Sequence, residues 1–260
     1  MTRQLYLDTN IFSMLLKHGD TSGFTTWMRT TAFELNLSGI LLIEISAVVD
    51  HLPQLRAALG AAPTRVLVTP DDLLAAEVRG HPHGAGAGAA QAAFVAGALD
   101  VDALLRTLRR AGPQARAEHL AYAAATPARH AALRDNFPPG PSGRYTRDQA
   151  PLFASMNVAQ TLLTSGHAGL ARQADFRPEA IASQYLRALV IFWEYYLRTG
   201  APNETSDLGD LSHLGWYPYF DVVVTERRMA ATLNEVKRAF GVPRAEILTV
   251  AGARSAGWLT

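Results

Sequence analysis

Five short apolar runs, "LYL" at 5–7, "GILLI" at 39–43, "RVLV" at 65–68, "DVVV" at 221–224 and "EILTV" at 246–250, punctuate the chain. Each is rich in branched residues, and helix-length segments separate them. Strands that alternate with helices give the α/β class, a parallel β-sheet flanked by helices. From about residue 90 to 200 the chain reads as helices alone, broken by "AGP" at 111–113, "NFPPGPSG" at 136–143 and "FRP" at 176–178. The expected organisation is therefore one domain over 1–260. Its sheet core comes from about 1–80 and 203–260, and a large α-helical insertion occupies 90–200.

Composition narrows the setting. Hydrophobic residues at 48% and charged residues at 18% describe a folded chain. No apolar run approaches the roughly 20 residues of a membrane span. The start, "MTRQLYLDTN", lacks a secretory pattern, and the absence of cysteine excludes disulfides and thiolate metal sites. Both features fit a cytoplasmic protein. A net charge of +1 gives no global attraction to nucleic acid, so any polyanion site is built locally. Only two of the 24 basic residues are lysines, Lys17 and Lys237. Arginine grips phosphate in a planar fork, but the abundant alanine points to a coding bias behind most of the arginines.

Local signals place several elements. "TPDDLLAAEV" predicts a helix capped by Thr69 with Pro70 in its first turn. "GHPHGAGAGAA" at 80–90 reads as a connection, with His81 and His83 solvated. The strongest helical pattern is 178–198, started by proline, with Ile181, Tyr185, Leu189, Phe192 and Tyr196 on one core-facing stripe.

The acidic residues carry the functional question. Asp8 ends the first apolar run and precedes a helical pattern, a place where open α/β sheets bind ligands. It or Asn10 also suits a helix N-cap. Glu226 follows the "DVVV" run as Asp8 follows the first, so parallel strands bring both to one sheet edge. Asp207 and Asp210, three apart, share a helical face behind the cap candidate Ser206, and helix-dipole capping explains them equally well. Glu44 is the only charged residue between Gly39 and Val49, and a carboxylate in such company needs a partner or a metal. Asp221 precedes its strand and belongs to the opposite edge. His213 reads as a helix-surface histidine.

The order "LYLDTN", an embedded Glu44, "SDLGDLSHL" and "DVVVTERRM" resembles the PIN-domain nucleases. The resemblance covers roughly 1–80 and 203–250 and implies a compact Rossmann-like parallel sheet. It further implies acids gathered around magnesium or manganese, and hydrolysis of phosphodiesters, mostly in RNA. By resemblance, Asp8 is the first acid, Glu44 the second and Asp210 the third, with Asp207 beside it. Thr225 and Glu226 match the family's Thr-Asp pair, with glutamate replacing the usual aspartate. Asn10 and Thr225 are then supporting residues. RNA is the expected partner, with DNA and an antitoxin protein as further ones, and the insertion's Arg106, Arg109 and Arg110 would meet substrate phosphates. The alternative is a PIN-like domain that has lost catalysis and binds nucleic acid or a partner. An unrelated acid-lined phosphohydrolase is a third possibility.

Overall fold

The computed structural model describes residues 3–17, 26, 28, 33–46, 52–61, 63–82, 93–95, 97–124, 136–198 and 211–257. The first half runs β1 (Arg3–Leu7), α1 (Thr9–Lys17), β2 (Phe33–Leu37), α2 (Gly39–Ile45), α3 (Leu52–Ala61), β3 (Thr64–Val66) and α4 (Pro70–Gly80). The helical middle comprises α5 (Val101–Ala124), α6 (Ala150–Thr164), α7 (Ala168–Ala171) and α8 (Ala182–Phe192), which continues as a π-helical segment, Trp193–Leu197. A 3-10 turn (Leu214–Tyr219) leads into β4 (Val222–Val224), α9 (Arg227–Phe240), β5 (Glu246–Leu248) and α10 (Val250–Ser255).

All five strands are parallel, in the order β3-β2-β1-β4-β5. The α/β class is therefore as the sequence predicts. β1 pairs with β2 through Leu5↔Leu35 and with β4 through Leu5↔Val222. The chain thus winds one way from β1 and the other way from β4, which makes the β1/β4 boundary the topological switch point. Right-handed crossovers place α1, α2 and α3 on one face and α9 on the other. α5 packs on α2 and α3, while α8 packs on α4, α6 and α9.

Strand residues Leu5, Tyr6, Leu7, Leu35, Leu37 and Val222–Val224 are buried, and they join α8 residues such as Leu189 and Phe192 in one contiguous core. Fully burying one such side chain contributes about 1.5–3 kcal/mol. Glu77 of α4 is 0% exposed and links three elements. It accepts hydrogen bonds from the Ser183 backbone N–H (2.7 Å), the Ser183 hydroxyl and the Tyr219 hydroxyl. Among the described residues no helix is long and apolar enough to cross a membrane.

Four local expectations need correction. "GILLI" is helical, because Ser38 takes an extended conformation and its Oγ accepts the Leu41 N–H at 3.1 Å. The true second strand is "FELNL", whose Asn36 is buried and donates to the Leu5 carbonyl at 3.0 Å. The helix α5 runs straight through Pro113. Gly112, just before it, lies against Ser46, and the packing of α5 on α2 and α3 holds the helix where the sequence predicts a break. Residues 178–198 are a 3-10 turn, α8 and the π segment, and all seven residues from Leu186 to Phe192 except Arg187 are buried. That element is sheathed on all sides; the stripe of one face is too narrow a description.

Candidate active site at the sheet switch point

Asp8 leaves β1 at its C-terminal end and stands just before α1. Its carbonyl accepts the Phe12 N–H at 2.9 Å, as an N-cap carbonyl does. Its carboxylate turns elsewhere: Oδ2 accepts the Thr225 hydroxyl at 2.7 Å across the switch point. Asp8 is 1% exposed and Thr225 is buried, so the pair is made in the interior. The second Asp8 oxygen has no hydrogen-bond partner among the described residues. Glu226 follows at the start of α9, where its Oε1 accepts the Asn10 amide N–H. Asp8, Asn10, Thr225 and Glu226 therefore share one edge, as the parallel reading requires. Asp221 lies at the other edge, accepting the Gln4 backbone N–H at 2.7 Å.

Glu44 reaches the same edge from α2. Thr9, the residue after Asp8, hydrogen-bonds its side chain. His213 Nε2 lies 3.4 Å from Glu44 Oε2, and His119 Nε2 of α5 lies 3.5 Å from Oε1. Burial alone raises the Glu44 carboxyl. His213 foremost, with Thr9 and His119, outweighs it and holds the group below the usual glutamate range.

His213 is buried at 1% exposure, which corrects the helix-surface reading. Its Nδ1 hydrogen-bonds the Tyr6 hydroxyl, which lies 2.8 Å from Ser38 Oγ. Tyr6 is held well above the usual phenol range, first by burial, then by the charges of Asp8 and Glu44 against the lowering bond of Ser38. His213 Nε2 also lies 3.4 Å from Thr9 Oγ1, so the imidazole links the residue beside Asp8 to Glu44.

Asp207 and Asp210 lie outside the described residues, as do His83 and Ser206. Among the described residues no group of three or more histidine, aspartate or glutamate side chains is arranged to hold a metal ion. Arg106, Arg109 and Arg110 are exposed on α5. The packed stripe of α5 carries Leu105, Leu108, Gly112 and His119, and helical periodicity sets Arg110 opposite it and Arg109 and Arg116 beside it. His81 is not merely solvated, since its Nε2 accepts the Arg177 N–H at 3.0 Å and its ring stacks on Phe176.

The sequence does not single out Tyr6, Ser38 or His119 as site residues, and His213 reads there as a surface histidine. His119 had a weak signal, standing seven residues after Gly112 on the buried stripe. Comparison of the chain with family models, curated proteins and solved structures yields no match.

Proposed function

We propose that the chain is a divalent-metal-dependent endoribonuclease of PIN-like character, hydrolysing phosphodiester bonds at the β1/β4 switch point. The observation that supports it most is that His213 links Thr9, the neighbour of Asp8, to Glu44 at the edge where Asp8 meets Thr225. Two carboxylates, one from the end of β1 and one from α2, brought to the sheet edge where α/β folds bind ligands have the oxygen chemistry that magnesium or manganese prefers. The unpartnered Asp8 oxygen fits that role. Asp8 and Glu44 would hold the metal, joined by Asp210, with Asp207 and Glu226 at its margin. When bound, the metal lowers the pKa of water and stabilises the departing oxyanion.

The chain's own residues supply the rest. Thr225 holds one Asp8 oxygen and leaves the second for the metal. Asn10 holds Glu226 at the rim. Arg106, Arg109 and Arg110 have no ion-pair partner among the described residues, leaving them for phosphates that the acidic centre repels. His119 marks where α5 meets the site. Arg106 is about 20 Å from it along the axis, at about 1.5 Å per residue, so these arginines would grip RNA several nucleotides from the cut.

The test is cleavage of RNA, single-stranded DNA and a phosphomonoester with and without manganese. Metal-dependent internal cleavage of RNA, abolished by Asp8→Asn, is the expected result. Binding of RNA with no cleavage by the wild type would leave the degenerate binding domain, and turnover of the phosphomonoester alone would leave a small-molecule phosphohydrolase.

A further inference from the structure

We infer that His213 and His119 are positioning residues that clamp the Glu44 carboxylate from both sides, His119 doing so from the helical insertion. The activity readout of this inference rests on the nuclease reading, and its structural readout does not.

The clamp begins and ends on α2. The Leu41 N–H donates to Ser38 Oγ at 3.1 Å, and the Ser38 hydroxyl donates to the Tyr6 oxygen at 2.8 Å. The Tyr6 hydroxyl donates to His213 Nδ1, and His213 Nε2–H donates to Glu44 Oε2 at 3.4 Å. In this order the Tyr6 and Ser38 protons are each used once and His213 is the Nε2–H tautomer; Thr9 Oγ1 also lies 3.4 Å from Nε2, its own proton going to Glu44. The opposite oxygen, Oε1, faces His119 Nε2 at 3.5 Å.

A glutamate side chain left to itself samples many rotamers, and fixing it costs conformational entropy. Here two imidazoles on separate elements set its orientation in advance. His213, His119 and Thr9 take about three of the roughly four acceptor directions of the carboxylate, which leaves room for a ligand at the remainder. Glu44 is 25% exposed, which gives that direction an outlet. The insertion thereby contributes to the site as well as covering α2 and α3. A histidine serving only as core filling would be indifferent to Glu44.

Nitrogen-15 NMR of the histidines in the full chain tests the geometry. The expected spectrum shows His213 with protonated Nε2 and acceptor Nδ1. Glu44→Gln should shift the Nε2 signals of both His213 and His119, and Tyr6→Phe should shift His213 Nδ1 alone. A His213 Nδ1–H tautomer, or histidine signals unmoved by Glu44→Gln, overturns the clamp. For activity, His119→Gln alters a partly exposed helix position that a fold of this size tolerates. It should lower kcat for RNA about ten- to a hundredfold with KM unchanged, the loss typical when a group orienting a ligand is removed. An unchanged kcat overturns the role of His119. If the wild type cleaves no RNA, the nuclease reading fails while the NMR result still decides the clamp.

Discussion

Thr225 supplies the one hydrogen bond that the Asp8 carboxylate accepts among the described residues. Thr225→Val keeps the shape and removes the donor, leaving a buried carboxylate short of a partner. A hydrogen bond to a charged group contributes about 1.5–3 kcal/mol, so the urea midpoint should fall by that equivalent. Glu77 faces the same loss of water with three donors, yet burial dominates and raises its carboxyl above the usual range. A raised folded-state value means that the native protein binds the proton more tightly than the unfolded chain. Stability from Glu77 is then full below the ordinary glutamate pKa of about 4.3 and is lost as pH climbs through the raised value. Glu77→Gln should flatten that stretch of the stability-against-pH curve in urea titrations. An unaltered slope would assign the pH dependence to another group.

Gly112 decides how closely two helices approach. A Cβ at this position would stand 2.5 Å from Ser46 Cβ, nearer than atoms tolerate. Replacing a helical glycine by alanine ordinarily stabilises by about 1 kcal/mol. Gly112→Ala should instead destabilise by about 1–3 kcal/mol through overpacking, seen as a lower Tm. Adding Ser46→Gly should return most of the loss. This contact also shows why some elements were legible in the sequence and others were not. The β1, β4 and β5 runs and the Thr69-capped α4 declare themselves through local chemistry. "FELNL" hides its strand because Glu34 and Asn36 dilute the apolar pattern, while "GILLI" imitates a strand until Ser38 caps it. Pro113 breaks an isolated helix, and only the packing of α5 on α2 and α3 overrides it. Within the site, Asp8 and Glu226 were legible as strand-end residues, and Thr225 only through the resemblance. His213 and His119 were not, because their partners lie 169 and 75 residues away at Glu44, and such distances leave no periodic trace.

At the scale of the molecule, metal should act as a native-state ligand. A cation at 100 times its Kd stabilises the fold by about 2.7 kcal/mol, so manganese should raise the Tm. Asp210→Asn should lower that rise and abolish cleavage, since a neutral amide oxygen is the poorer ligand. A variant with the full thermal shift and full cleavage would remove Asp210 from the site. Charge reversal is not needed to probe the basic face: Arg106, Arg109 and Arg110 together replaced by glutamine should weaken RNA binding and flatten its salt dependence. Each lost phosphate contact removes about 0.7 from the log–log slope for a single strand. An unchanged slope would make them surface solubilisers.

The strand order also has a consequence for synthesis. β1 pairs with β2 thirty residues downstream but waits for β4, whose Val222 pairs with Leu5. At about 5–20 residues per second, a nascent chain carries β3-β2-β1 with one bare β1 edge for roughly 7–30 s. An open edge of that kind recruits foreign strands, so this is the interval in which a chaperone gains most and an arrested chain aggregates. Asp8 gains Thr225 only after β4 has left the ribosome. A chain that cuts RNA would therefore acquire the ability only once its synthesis has passed β4.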